Sequence, residues 1–326
     1  MAAESKLPGI GQDDGKRRYG ESKRMKPILS ICIPTYNRKQ RLLELLELIR
    51  EYNVNKIPIL VFDNASTDGT QKSLQSYVER GEIIYFRNEK NLGHDGNYLR
   101  MIEEGRKYAQ YSLWLGDDDR ITADFFIDIP KKLAEDMPEL LVLNSQGYTN
   151  SFVRRNVKKV LKAPKFLKMR FSLPNSYDIH YINEQAFFAN FFDKLSFGVV
   201  VVNNDLLNVE KAKRYQGTYH LYSGAIWEML DEQNDKNGKI NVCVTAKPYI
   251  IWGKGSKSYA RDMENVCRGI GYWMSLLPTS LQSEVYCVTK DMVAGKAYGA
   301  DTKYIWEEYV KNLKENNEAI YNKNFT

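Results

Sequence analysis

No stretch of the 326 residues stays apolar for the roughly 20 positions that a membrane-spanning helix needs. No charged-then-apolar secretory segment opens the chain either. We therefore expect a cytoplasmic protein whose membrane contact, at the inner face, is peripheral. Cysteine is sparse. Cys32, Cys243, Cys267 and Cys287 are far apart, without metal-ligand or disulfide-framework spacing, and are expected as reduced core thiols. Excess charge is small as well. A net charge of +6 falls short of a nucleic-acid binder and leaves anionic ligands or an anionic membrane surface as partners.

The chain is rich in aromatics, with 22 Tyr, 13 Phe and 5 Trp, which suit sites that stack on rings and grip hydroxyl-rich ligands. Its length holds one large or two modest domains. The most informative stretch is Trp114-Leu115-Gly116-Asp117-Asp118-Asp119-Arg120, three adjacent carboxylates after an apolar run. Like charges repel, so a cation is the natural way to hold them together. On an extended chain, Asp117 and Asp119 share a face and Asp118 points the other way. Such a pair suits a hard divalent ion carrying a phosphorylated ligand; the plainer alternative is a solvated acidic turn.

Residues 1–25 carry no apolar periodicity and read as a disordered leader. Apolar runs at 28–33, 57–62, 83–86 and 111–115 alternate with helical spacing at 38–52, 71–80 and 96–108. This alternation predicts an α/β fold with a doubly wound, mostly parallel sheet and helices on both faces. Ligands bind such sheets at the carboxyl ends of the strands. Pro34-Thr35, Asp63, Asn91-Leu92-Gly93 and Asp117-Asp119 all fall there.

These four motifs, Ser30-Ile31-Cys32-Ile33-Pro34-Thr35-Tyr36-Asn37-Arg38, Val61-Phe62-Asp63-Asn64-Ala65-Ser66-Thr67-Asp68-Gly69-Thr70, Asn91-Leu92-Gly93 and Leu115-Gly116-Asp117-Asp118-Asp119, stand in the order of glycosyltransferase family 2. The chain resembles that family over residues 27 to about 130. The resemblance implies a GT-A fold and a metal-dependent, inverting transfer of sugar from a nucleotide diphosphate, with a UDP-sugar favoured, to a hydroxyl acceptor. That acceptor would be a glycan or polyprenyl-diphosphate-linked saccharide of bacterial-type surface polysaccharide synthesis. It implies a nucleotide-sugar half over 26–130, an acceptor half over 131–260 and a helical extension over 261–326.

The resemblance also suggests roles. Pro34, Thr35, Tyr36 and Arg38 would pack against base and ribose, and Asp63 would accept a hydrogen bond from a pyrimidine N–H. Asn91, Gly93 and Asn97 belong to a loop approaching the nucleotide closely, where a Cβ would intrude at Gly93. Asp119 would bind Mn²⁺ or Mg²⁺, Asp117 the ribose or the ion's water shell, and Asp118 the same ligand. Asp68 reads instead as a turn and helix cap. His94 beside Asp95 reads as a surface pair, and Arg100 as a solvated helix face.

The second half diverges. Where relatives keep a carboxylate base before a helix, this chain has His220, an imidazole able to take a proton near neutrality. Glu228 is its main rival and Glu184 a distant third. Basic residues from Arg154 to Arg170 read as a solvated face, or as a dock for an anionic leaflet or lipid diphosphate. Lys254, in the glycine-bearing segment Gly253-Lys254-Gly255-Ser256, would close over the diphosphate. From Asp262 the spacing is helical, for packing, membrane contact or homo-oligomerisation. Two rival classes stay open. A nucleotidyltransferase would need a Gly-rich loop after the first strand, which is absent; a non-catalytic nucleotide or carbohydrate module would lack the base.

Overall fold

The computed structural model describes residues 26–146, 178–192, 195–253, 263–295 and 299–325. The leader, the basic run at 154–170 and Lys254 lie outside the described residues.

The first half alternates as its periodicity predicts. β1 (Leu29–Thr35), α1 (Lys39–Tyr52), β2 (Ile59–Asp63), α2 (Thr70–Glu79), β3 (Ile84–Arg87), α3 (Gly93–Gly105) and β4 (Tyr111–Trp114) follow one another. β1 and β2 are continuous apolar runs because both of their faces are covered. α1 buries Leu42, Leu45, Leu46 and Ile49, the stripe that its helical period puts on one side. The strands β3-β2-β1-β4 pair in parallel, with Thr35 beside Asp63 and Cys32 beside Trp114. After β3 the chain crosses back to the other side of β1. With right-handed crossovers, α3 must then cover the face opposite α1 and α2. The crevice between the ends of β1 and β4 is the topological switch point.

Beyond β4 the sheet is mixed. It continues through β8 (Val200–Asn203), β6 (Leu140–Gln146), β9 (Val242–Ile251) and β5 (Arg120–Ile121), and β7 (Ile179–Tyr181) flanks β9. β8 is antiparallel to β4 and to β6, while β6 and β9 are parallel. Six of the nine strands among the described residues therefore run in the direction of β1, and β5, β7 and β8 run against it. The consequence for the site is simple. The end of β9 and the start of β8 reach the same edge as the carboxyl ends of β1, β2 and β4.

The helices of this half are α4 (Phe125–Asp136), α5 (Glu184–Phe191), α6 (Val209–Lys213) and α7 (Leu221–Asn237). A helical layer follows: α8 (Met263–Leu276), α9 (Gln282–Ala294), α10 (Thr302–Asn316) and α11 (Glu318–Phe325). It packs on its own chain. A Cβ on Gly271 would come within 2.2 Å of the Ile305 carbonyl oxygen, so this residue lets α8 and α10 meet backbone to backbone. Tyr309 is fully buried there, while Tyr286, Met292, Tyr304 and Trp306 are half-buried. Of the expected core thiols, Cys32, Cys243 and Cys267 are buried and Cys287 is exposed. Cys287 lies on a helix whose core-facing side is taken by Val285 and Thr289.

Candidate active site

The strand carrying the aspartates ends at Trp114, and Gly116 to Asp119 form a turn closed by the Asp119 N–H on the Gly116 carbonyl at 3.1 Å. The alternation expected of an extended chain therefore does not apply. Asp117 and Asp118 both face the start of α1. The buried Asp117 carboxylate accepts the Thr35 hydroxyl at 2.8 Å and an Arg38 N–H at 2.8 Å. Asp118 accepts an Arg41 N–H at 3.1 Å, with Arg38 3.7 Å from its other oxygen. Pro34 is half-buried and Tyr36 is exposed at the mouth of this crevice.

Asp119 turns the other way, toward β8 and β9. Its Oδ1 accepts the Gly253 N–H at 3.0 Å, and it enters no ion pair among the described residues. A Cβ on Gly198 would sit 2.6 Å from Asp119 Oδ2, and one on Gly253 would strike the Asp118 carbonyl oxygen at 1.7 Å. Only glycine allows this closeness, and Gly198 also adopts a φ of 102°. Burial pushes the Asp119 carboxyl up to about 7, with the Asp118 and Asp117 charges adding to the push and the Gly253 N–H opposing it. Burial also raises Asp117 despite Arg38 and Thr35. Two carboxylates sharing two arginines and a third held by a backbone N–H form a donor set able to hold a hard divalent ion.

Asp63 is fully buried at the end of β2. Its oxygens accept the Ser66 N–H at 2.8 Å, the Tyr85 hydroxyl at 2.5 Å and an Arg87 N–H at 3.1 Å. Asn97 is buried in an amide network, and the exposed Asn91 joins its edge. Asn64 donates to Asn91 at 2.8 Å and to the Gly93 carbonyl at 3.0 Å, and Asn88 bridges Asn64 and Asn97 at 2.9 and 3.0 Å. Gly93 has no protein atom within 4 Å of where its Cβ would lie. Its φ of 73° is what calls for glycine. Asp68 caps two elements, accepting the Lys39 N–H at 2.8 Å and the Thr70 N–H at 3.1 Å.

His220 is half-buried at the N-terminal boundary of α7, with its ring centroid 5.4 Å from that of Trp273 and 6.1 Å from that of Tyr222. Glu228 is buried among partners of opposite charge. It accepts from the Tyr215 hydroxyl at 2.8 Å and pairs with Arg214 at 3.0 Å and Lys211 at 3.1 Å. Glu184 is fully buried beside α7 and α9, and neither of its oxygens has a hydrogen-bond partner among the described residues. Burial raises it to about 8, helped by the charges of Asp231, Asp235 and Glu284.

Asp95 is the residue that sequence reasoning missed. α3 starts at Gly93, not near Gly96, so Asp95 stands in its first turn and is buried. Its carboxylate accepts the Tyr219 N–H at 2.8 Å and the Leu221 N–H at 3.3 Å. It thereby holds the segment around His220, in which Tyr219 has a φ of 65°. Burial raises the Asp95 carboxyl, opposed by the N–H groups of Tyr219, Leu221, Gly217 and Thr218. The available signal was an Asp two residues after Gly93, a favourable place for a carboxylate once the helix begins at that glycine.

Comparison with known proteins gives the family and the fold. The abequosyltransferase RfbV of Salmonella typhimurium is 40% identical over 102 residues, 30% of each chain. The GalNAc(5)-diNAcBac-PP-undecaprenol β-1,3-glucosyltransferase of Campylobacter jejuni is 24% identical over 154 residues, 45% of this chain and 49% of its own. The chain thus aligns with less than half the length of these curated relatives. Among solved structures, Staphylococcus aureus TarS 1–349 with UDP-GlcNAc shares the fold at a TM-score of 0.52 and 12% identity, covering 91% of this chain and 92% of that one. The mannosyltransferase PcManGT of Pyrobaculum calidifontis, in complex with GDP-Man and Mn²⁺, does so at 0.50 and 12%, covering 91% and 76%. The model of the glycosyl transferase family 2 matches residues 30–218, more than half of the chain, and the protein belongs to that family.

Proposed function

We propose that the protein is a metal-dependent inverting glycosyltransferase that takes a sugar from a nucleotide diphosphate, a UDP-sugar, to a hydroxyl on a glycan or polyprenyl-diphosphate-linked acceptor. The observation that carries this reading is the aspartate turn at the switch point, with Asp117 and Asp118 on the arginines of α1 and Asp119 cradled by Gly198 and Gly253. Asp119, with Asp117, would hold Mn²⁺ or Mg²⁺, and when bound such an ion supplies charge neutralisation for the diphosphate of the leaving nucleotide.

The chain's own groups do the rest. Arg38 and Arg41, now on Asp117 and Asp118, lie at the strand end where phosphate charge would arrive. Asp63, held rigid by Ser66, Tyr85 and Arg87, presents an acceptor for a pyrimidine N–H. His220, fixed through its neighbours by Asp95, would take the proton of the attacking hydroxyl as the bond to the anomeric carbon forms. TarS is described with UDP-GlcNAc and PcManGT with GDP-Man, so the choice of UDP rests on the Asp63 reading. The lipid-linked acceptor draws support from the name of the Campylobacter relative.

The test is a panel of nucleotide sugars with Mn²⁺, scored by thermal shift and by nucleotide diphosphate released with and without acceptor extracts. A UDP-sugar that stabilises the protein and yields UDP supports the proposal. Binding with no turnover under any acceptor would make the protein a binding module.

A further inference from the structure

We propose that Asp136, His180 and Cys243 form a second metal site, for a thiophilic divalent ion of the zinc class. Asp136 ends α4, His180 is the middle residue of β7, and Cys243 is the second residue of β9. One ligand atom from each lies within 4.8 Å of the other two. His180 and Cys243 are direct partners in the β7–β9 ladder, so both side chains rise from one face of the pair. Sγ of Cys243 and Nε2 of His180 are 3.9 Å apart. Thiol, imidazole and carboxylate together are zinc chemistry, whereas Mg²⁺ and Ca²⁺ take oxygen sets.

A further carboxylate is linked to the cluster through Lys132. Asp178 precedes His180 by two residues, and its Oδ1 is used by the Ala246 N–H at 2.7 Å. Its Oδ2 is 2.8 Å from Lys132, whose ammonium is also 2.9 Å from Asp136. The cluster therefore already attracts a cation. Lys132 is a compact charge on a flexible stem, able to swing to water while the metal takes its place. Competition between the two follows directly, and it makes the site testable from both directions.

This site is separate from the aspartate turn. Cys243 lies near the start of β9, and Gly253 follows its far end. The eight steps from Cys243 to Ile251 span about 26 Å at roughly 3.3 Å per residue. An ion there would tie α4 and β9 to β7, a three-residue strand paired only with β9 among the described residues.

The experiment uses the full chain with saturating Mg²⁺, which keeps oxygen-ligand sites occupied, and titrates Co²⁺ as a spectroscopic stand-in for Zn²⁺. A sulfur-to-cobalt charge-transfer band should appear and be displaced by Zn²⁺. It should vanish in Cys243→Ser and in His180→Ala, the latter an exposed position that spares the core. Lys132→Met should tighten Co²⁺ by about tenfold or more, since it removes the competing charge. A band that survives both ligand substitutions, as the exposed Cys287 could give, would overturn the proposal. So would the absence of any band in both the wild type and Lys132→Met.

Discussion

The Asp95 carboxylate receives the main-chain N–H of Tyr219 at 2.8 Å and that of Leu221 at 3.3 Å. Two residues before it, the Gly93 carbonyl receives the Asn64 amide at 3.0 Å. One helical turn thus touches the loop after β2 on one side and the approach to α7 on the other. Asp95→Ala leaves buried N–H groups without an acceptor, at a cost of about 1–3 kcal/mol. The expected result is a lower Tm and a lower kcat with little change in donor KM, because the donor crevice is intact. Asp95→Asn, which keeps one acceptor oxygen, should fall between the two. Steady-state kinetics with a melting curve check this, and a donor KM that moves as much as kcat would count against it.

If Asp119 holds the ion, Asp119→Ala should retain the fold and lose turnover by roughly 10²- to 10⁴-fold, as expected when a few kcal/mol of transition-state charge stabilisation disappear. Its residual activity should no longer respond to added Mn²⁺. Near-normal activity in chelator-treated buffer would remove Asp119 from the metal set.

Asp63 sits 0% exposed with three donors converging on it. Asp63→Asn keeps the shape and removes the charge. It should raise KM for a UDP-linked donor more than it lowers kcat, the sign of binding lost equally in ground and transition states. A GDP-linked donor should be affected less. Equal effects on both donors would detach Asp63 from base recognition.

Glu184 gives a pH signature in stability. Burial, with Asp231, Asp235 and Glu284 adding to it, raises the carboxyl from 4.5 to about 8. Between those values the unfolded chain ionises while the folded one keeps its proton, so stability falls as pH rises through that window. Glu184→Gln should therefore melt higher than the wild type at pH 8, and the gap should close toward pH 5. A difference that does not vary with pH would contradict the assignment.

The strands and helices up to Trp114 were legible because a parallel βαβ array writes itself locally, in apolar runs and helical stripes. Most of the rest depends on contacts distant in sequence. Nothing near Val200 says that β8 will run antiparallel to β4, and Lys247 and Pro248 interrupt the apolar pattern of β9. The four motifs at the strand ends do meet at one edge of the sheet. Their internal geometry was not legible, since Asp119 turns toward Gly198 and Gly253, 79 and 134 residues further along. Asp95 was hidden by an error of one helical turn, which left it in a loop on paper and in a first turn in the fold.

The choice of base can be settled by comparing three enzymes. Glu228 is tied to Tyr215, Arg214 and Lys211, so Glu228→Gln weakens a partly exposed ion cluster and should cost about 1–3 kcal/mol of stability. It should leave the shape of the pH–rate profile alone. His220 adjoins the segment that Asp95 holds, and an imidazole base gives kcat/KM an acid limb that rises as the ring loses its proton. Below that limb the ring is protonated and cannot accept the hydroxyl proton, so the rate rises with pH until the ring is neutral. His220→Ala should lose roughly 10²- to 10⁴-fold in kcat and lose the limb with it. His220→Ala that keeps both rate and limb, beside a Glu228→Gln enzyme that folds normally but is inactive, would transfer the role to Glu228.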